Sequence, residues 1–343
     1  MDAGALIIPV MPARELVDTI VAAEAAGLDY CLVADETLMT DAYVALAAAA
    51  HETTEIRLGP VTNGYTRHPA TTAAAIATLD DLSGGRAVAV LVAGGSLALA
   101  PVGMTRDSPV SVLAETVEVM RRLWSGEPVT WTGAHFRLED ARLGPGRREI
   151  PVWIAARGPR LLRQAGRTAD GVVLEVRADL AAAIDLVDQG ANGTDRRPRR
   201  VYLDRLAYRP ETATPSEVFV HVLADSPTRQ LHALGLDDET IDAFRRAYET
   251  RGPTAASAYV TEEVIRRHRI MGSPGECSEI LAGLARQLDL DVFLCYVNRP
   301  GLAANVERMR EVEAIVENAV SLAEKGGDVD GGRDRDRAVE GST

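Results

Sequence analysis

The chain of 343 residues is 46% hydrophobic and 25% charged, a globular composition, and no apolar run approaches the roughly 18 residues that a membrane span requires. Lysine and arginine number 37 against 50 aspartates and glutamates, a formal net charge of −13, and an acidic surface of that size repels the phosphates that nucleic-acid binders neutralise. Cys31, Cys277 and Cys295 are too widely spaced for a zinc motif, and the first residues lack the basic and apolar stretches of a secretory leader, so a reduced, cytoplasmic protein without metal is expected, with neither nucleic acid nor membrane as partner.

Short β-rich runs bounded by turn residues alternate with Ala- and Leu-rich stretches of helical period. A strand over 5–10 is followed by a helix over 13–26, with Leu16, Ile20 and Ala23 on one face and Gly27 as its stop. A strand over 30–34 and a helix over 41–53 come next. The third strand, 56–62, precedes a helix over 69–82 that opens on Pro69, where a missing N–H costs little, and ends at Gly84-Gly85. Residues 87–92 form the fourth strand and 110–125 a helix, and the Thr-Trp-Thr-Gly-Ala-His-Phe pattern within 129–138 predicts an added hairpin. Strands over 152–155, 171–174, 201–207 and 292–297 complete eight.

Eight strands with intervening helices spell an α/β fold of the (β/α)8 TIM-barrel type, and a doubly wound sheet is disfavoured because no glycine fingerprint follows Val10. About 85 residues separate strands seven and eight, more than a crossover needs, so a helical insertion at about 211–271 is expected over the C-terminal face of the barrel, where substrate specificity is built. The barrel domain is read as 1–325, and 326–343, nearly devoid of apolar residues, as a disordered tail.

The run LGPVTNGYTRHPATTAAAIATLDDLSGGRAVAVLVAGGS from Leu58 resembles the bacterial luciferase-like superfamily of flavin and deazaflavin oxidoreductases. Within it, VTNGYTRHPATTA, SGGRA and PVWIAARGPRLLRQAGRTADGVVLE, in that order, are most similar to the F420-dependent branch that includes methylenetetrahydromethanopterin reductase. The resemblance covers about 25–175, with a weaker echo in MGSPGECSEILAGLARQLDLDVF. It implies a homodimeric barrel with the ring of coenzyme F420, or alternatively FMN, at the C-terminal mouth. It also implies a non-prolyl cis peptide in the third strand, at Pro60-Val61 or Val61-Thr62, supporting that ring.

Cofactor contacts are implied at Asp35, Pro60, Val61, Thr62, Ala93 and Gly94, and the phosphate is implied at Ala155, Ala156, Arg157, Gly158 and Pro159. There glycine permits close backbone approach, a helix start supplies unpaired N–H groups, and Arg157 or Arg160 offers a charge-assisted contact. Hydride chemistry belongs to the cofactor, so the protein must place the acceptor and deliver a proton. Glu36 stands where relatives using F420 carry histidine and is the candidate donor if burial raises its pKa, the alternative being a solvated loop carboxylate.

Ser96 is the second catalytic candidate, near where the family's sugar-phosphate dehydrogenases place a carboxylate, and its lack of charge argues against that oxidation. Ile7, Ile8 and Pro9 stand where the pterin reductases carry an acid, which weakens a pterin substrate. Glu175, Asp204 and Tyr208 lie at strand ends and read as structural. His68, in Tyr65-Thr66-Arg67-His68, reads as a cap, and His135 and His232 lack ligand spacing. The expected function is an F420H2-dependent reductase of an electron-poor C=C or C=N bond, in a small molecule or modified peptide of specialised metabolism. The alternatives are a reduced-FMN monooxygenase and a non-catalytic binding subunit.

Overall fold

The structure is a computed structural model and describes residues 1–144, 146, 148–208 and 217–330. Along the first half run β1 (Asp2–Ile7), α1 (Ala13–Ala25), β2 (Tyr30–Ala34), α2 (Ala42–Ala50), β3 (Arg57–Asn63), α3 (Pro69–Ser83), β4 (Ala89–Val92), α4 (Ser96–Leu99) and α5 (Pro109–Trp124). The hairpin β5 (Val129–Thr132) and β6 (Arg137–Ala141) is followed by β7 (Val152–Ala155), α6 (Pro159–Thr168), β8 (Gly171–Leu174), α7 (Leu180–Ala191) and β9 (Arg199–Asp204). Past β9 lie α8 (Glu217–Ala224), α9 (Thr228–Ala233), α10 (Asp238–Arg251), α11 (Pro253–Ala256) and α12 (Glu262–His268), then α13 (Pro274–Leu288), β10 (Val292–Tyr296) and α14 (Leu302–Asp330).

Eight parallel strands close in the order β1-β10-β9-β8-β7-β4-β3-β2, a (β/α)8 barrel with the β5–β6 hairpin outside it. Two-residue alternation sorts the side chains. Leu6, Tyr30, Leu32, Val90, Trp153, Leu203 and Leu294 fill the interior, whereas Ala5, Ile7, Cys31, Val33, Phe293 and Cys295 face the helices. Gly4 pairs with both Tyr30 and Leu294, and a Cβ there would lie 2.7 Å from each side chain. Arg86, in the Ser-Gly-Gly-Arg turn, ties α2 to β3 by donating to the carbonyls of Ala50, Thr53 and Ile56, a structural role.

Two strands differ from their sequence reading. The first spans Asp2–Ile7 instead of 5–10, because Pro9 has no N–H for a ladder and Val10 turns back to the Ile8 carbonyl at 2.8 Å. The seventh barrel strand stops at Asp204, whose carboxylate takes the N–H groups of Leu206 and Ile270 and so turns the chain away. The implied cis peptide is also corrected: no cis bond occurs among the described residues. Pro60, Val61 and Thr62 continue a regular trans ladder with β2 and β4 that satisfies the strand without the about 3–4 kcal/mol of a non-prolyl cis bond.

The insertion is helical from Glu217 onward and has its own apolar centre, built by Phe219, Leu223, Leu231, Ile241 and Phe244 and joined to the barrel through Val176. Its part at 211–216 lies outside the described residues. Helix α14 carries the backbone to Asp330, five residues into the segment whose composition predicts no fold, and 331–343 lie outside the described residues. No helix among the described residues is long and apolar enough to cross a membrane. The three cysteines are buried thiols.

Candidate active site

The inward face ends at the C-terminal mouth in a partly exposed apolar shelf: Ile8 past β1, Val61 on β3, Ala155 on β7 and Tyr296 on β10, all packed on the barrel interior. Alternation along β2 sends Leu32, Ala34 and then Glu36 inward. Glu36 is half-buried, its carboxyl makes no hydrogen bond to the described residues, and burial followed by the charge of Asp35 pushes its pKa up. Thr37 beside it holds a left-handed φ of 56° and donates to Ala98 O at 2.9 Å, a strained link to α4 that fixes the Glu36 backbone.

Asp35 faces away from the mouth. It accepts from Thr62 Oγ1 at 2.9 Å and lies 3.6 Å from Arg67, whose guanidinium also reaches Asp41 at 2.7 Å and stacks 4.2 Å over Tyr43. Asp35 and Thr62 thus stiffen the β2–β3 edge beside Val61, and Pro60 is buried within β3. His68 caps α3, its Nδ1 accepting from Ala70 N at 3.2 Å, and no catalytic contact is seen.

Ala93 and Gly94 follow β4. Gly94 adopts φ +80°, and a Cβ there would lie 2.8 Å from Leu99, so only glycine suits this turn. Ser96 does not turn to the mouth: its N–H and hydroxyl both donate to Asp225 of the insertion, at 3.0 and 2.9 Å, and Arg106 approaches the same carboxylate at 3.8 Å. Its side chain is occupied in anchoring the insertion.

After β7, Gly158 begins α6 with no side chain capping its first N–H groups, and nothing lies within 4 Å of where its Cβ would be. This open helix start, together with the apolar shelf, fits a flat ring carrying a phosphate tail. Arg157 points elsewhere than the phosphate contact expected of it: it donates to Glu175 Oε2 at 2.5 Å and to Val222 O at 3.2 Å, while its own carbonyl accepts from Arg229. Arg160 is exposed. Ala155 ends β7, Ala156 N donates to Val173 O, and Pro159 opens α6.

Glu175, just past β8, is buried and takes a second hydrogen bond from the Tyr296 hydroxyl at 3.1 Å. Burial opposes its charge, yet Arg157, His268, Arg205 and Tyr296 outweigh it and bring its pKa to about 2. His268 of α12 is equally buried and edge-on to Phe219 at 4.7 Å, and burial, opposed by Glu175, lowers its pKa to about 3. Arg205 stacks 3.9 Å from the Tyr296 ring centre.

The structure therefore places Glu36, Val61 and Ala155 at the C-terminal ends of β2, β3 and β7, groups Glu175 with Tyr296, Arg205 and His268 around the ends of β8, β9 and β10, and leaves Ser96 at the insertion joint. Sequence reasoning passed over Arg205 and Tyr296, although both follow from strand-end position. His268 and Asp225 carried no such signal. A separate hollow of about 410 Å³ at the opposite barrel end, lined by Asp29, Glu313, Glu317 and Glu324 among others, has carboxylates where a phosphate would need cations, and lies far from this chemistry.

A closed parallel barrel with an apolar shelf, an open helix start and an unpaired carboxyl at one mouth defines a barrel oxidoreductase that holds a flat ring cofactor. The chain belongs to the bacterial luciferase-like family: the profile described as luciferase-like monooxygenase matches residues 2–290. It is similar to 5,10-methylenetetrahydromethanopterin reductase of Archaeoglobus fulgidus, 32% identical over 302 residues that cover 83% of this chain and 90% of the other. The reductase of the same name from Methanolobus tindarius is 28% identical, over 88% of this chain and 94% of its own. Among solved structures, the coenzyme F420-dependent tetrahydromethanopterin reductase of Methanopyrus kandleri shares the fold with TM-score 0.77 at 24% identity, covering 91% of this chain and 98% of its own.

Proposed function

We propose that the chain is a coenzyme F420-dependent reductase that delivers hydride to an electron-poor C=C or C=N bond, with Glu36 holding the proton that completes the reduction. The observation that carries this reading is the half-buried, unpaired Glu36 carboxyl beside the apolar shelf, in a chain similar over most of its length to reductases of this branch. When bound, F420H2 supplies the hydride. Val61, with Pro60 and Thr62 stiffening its strand, and Ala93 and Gly94 would flank the ring. The amides following Gly158 would receive the phosphate, with Ala155 to Pro159 setting the loop. Burial and the charge of Asp35 push the Glu36 pKa up, the direction a proton donor needs.

The branch-specific acid of the pterin reductases is replaced by Ile7, Ile8 and Pro9, so a small molecule or modified peptide of specialised metabolism is the favoured acceptor, acted on in the cytoplasm by a homodimer. Fluorescence titration of the purified chain with F420 and, separately, FMN tests the reading. F420 is expected to bind the more tightly. Preference for FMN would move the chain to oxygen chemistry, and binding of neither would leave a barrel without its cofactor.

A further inference from the structure

The hydrogen-bond donors at the mouth are not all taken. Glu175 is consumed, by Arg157 on one oxygen and the Tyr296 hydroxyl on the other. The nearest other buried carboxylate, Asp204, is consumed by the Tyr202 hydroxyl and the N–H groups of Leu206 and Ile270. Arg205 has neither. Its guanidinium lies over the Tyr296 ring, 3.9 Å from the centre, makes no hydrogen bond or ion pair among the described residues, and keeps its Nε buried and unpartnered. Within its electrostatic reach, His268 is 3% exposed and both ring nitrogens lack a partner. A buried donor left without a hydrogen-bond partner is costly, and the charge of Glu175, which Arg205 helps to hold ionised, does not supply one. Beside the shelf, then, stand N–H donors of Arg205 and a neutral His268 ring that no described residue engages, a feature that a ligand would satisfy.

We propose that Arg205, stacked on Tyr296 and supported by His268, is an anion subsite that holds the carboxylate of the acceptor. The planar guanidinium matches a carboxylate edge with two parallel N–H donors, and the Tyr296 ring beneath holds it at the mouth. In the barrel order, β9 stands three strands from β2, so an acceptor pinned at Arg205 lays its double bond across the shelf toward Glu36. The substrate class is thus a conjugated unsaturated carboxylate. Assigning the anion to the acceptor rests on the reductase reading; the existence of the subsite does not.

The test compares crotonate with the uncharged crotonamide by saturation-transfer NMR on the full chain, as wild type, Arg205→Gln and Arg205→Lys, with F420 affinity measured in parallel by fluorescence quenching. Crotonate is expected to bind wild type in preference to crotonamide, to lose about tenfold or more of its affinity in Arg205→Gln, and to regain part of it in Arg205→Lys, with F420 affinity unmoved. Equal binding of acid and amide, no crotonate binding to wild type, or crotonate affinity indifferent to Arg205→Gln overturns the proposal. So does a loss confined to F420, which would give Arg205 to the cofactor's own anionic tail. If F420 fails to bind wild type while the crotonate pattern holds, the reductase reading falls and the anion subsite stands.

Discussion

Glu36 and Glu175 are both glutamates just past barrel strands, and their surroundings drive them in opposite directions. Glu36 has burial and a neighbouring carboxylate acting on it with no donor to offset them, so it favours the neutral acid, while Glu175 has enough cationic and hydroxyl partners to stay ionised. Glu36→Gln is accordingly expected to cut turnover by about a hundredfold or more while leaving F420 affinity near wild type, measured as kcat beside a binding titration. Wild-type turnover should fall as pH rises through the Glu36 pKa, and the variant should lose that limb. A carboxyl whose folded pKa is raised contributes stability below its unfolded pKa that is lost as pH rises, so Glu36→Gln should be no less stable than wild type at neutral pH in urea denaturation. A variant that kept its turnover would remove Glu36 from the chemistry. The position of Glu36 was legible from the strand that precedes it, but the fate of Glu175 was not, because Arg157 and Tyr296 stand 18 and 121 residues from it.

Most strands could be placed from the sequence because each is a short apolar run between turn residues, a local property. The misplaced ends mark where other elements intervened: Asp204 ends β9 through a hydrogen bond to Ile270, 66 residues on. A Cβ on Gly166 would run into the Val187 carbonyl and one on Gly190 into that of Arg163, so these two helix glycines let α6 and α7 cross closely. Helix α12 brings a pH dependence to the fold. His268 has a folded pKa of about 3 against about 6.5 unfolded, so the unfolded chain takes the proton first; its contribution is complete above about 6.5 and is lost as pH falls toward 3. Glu175 adds a second loss as pH falls from about 4.3 toward 2. Urea denaturation across this range should show stability falling below about pH 6.5, and His268→Leu should flatten the upper part of that slope. An unchanged slope in the variant would place the proton uptake elsewhere.

Across the whole molecule, apolar side chains are buried in the barrel, around it and within the insertion, but Val10, Leu38 and Val44 remain 61%, 73% and 69% exposed near the end of β1 and along the β2–α2 segment. Apolar side chains left this open on one side suit contact with a second copy. Light scattering is expected to give a dimer for wild type and a monomer for the double variant Leu38→Glu, Val44→Glu, and a wild-type monomer would overturn the homodimer. The amino-acid order by itself determined the alternating βα plan, the eight strands, the helical insertion and the glycine turns, because periodicity and turn chemistry act over a few residues. Only the tertiary structure decided which carboxyl is pushed toward the acid form and which is held ionised, that Ser96 serves Asp225 across 129 residues, and that Arg205 lies over Tyr296 at the mouth. Those outcomes depend on desolvation and on charges brought together by barrel closure, and neither exists until the chain has folded.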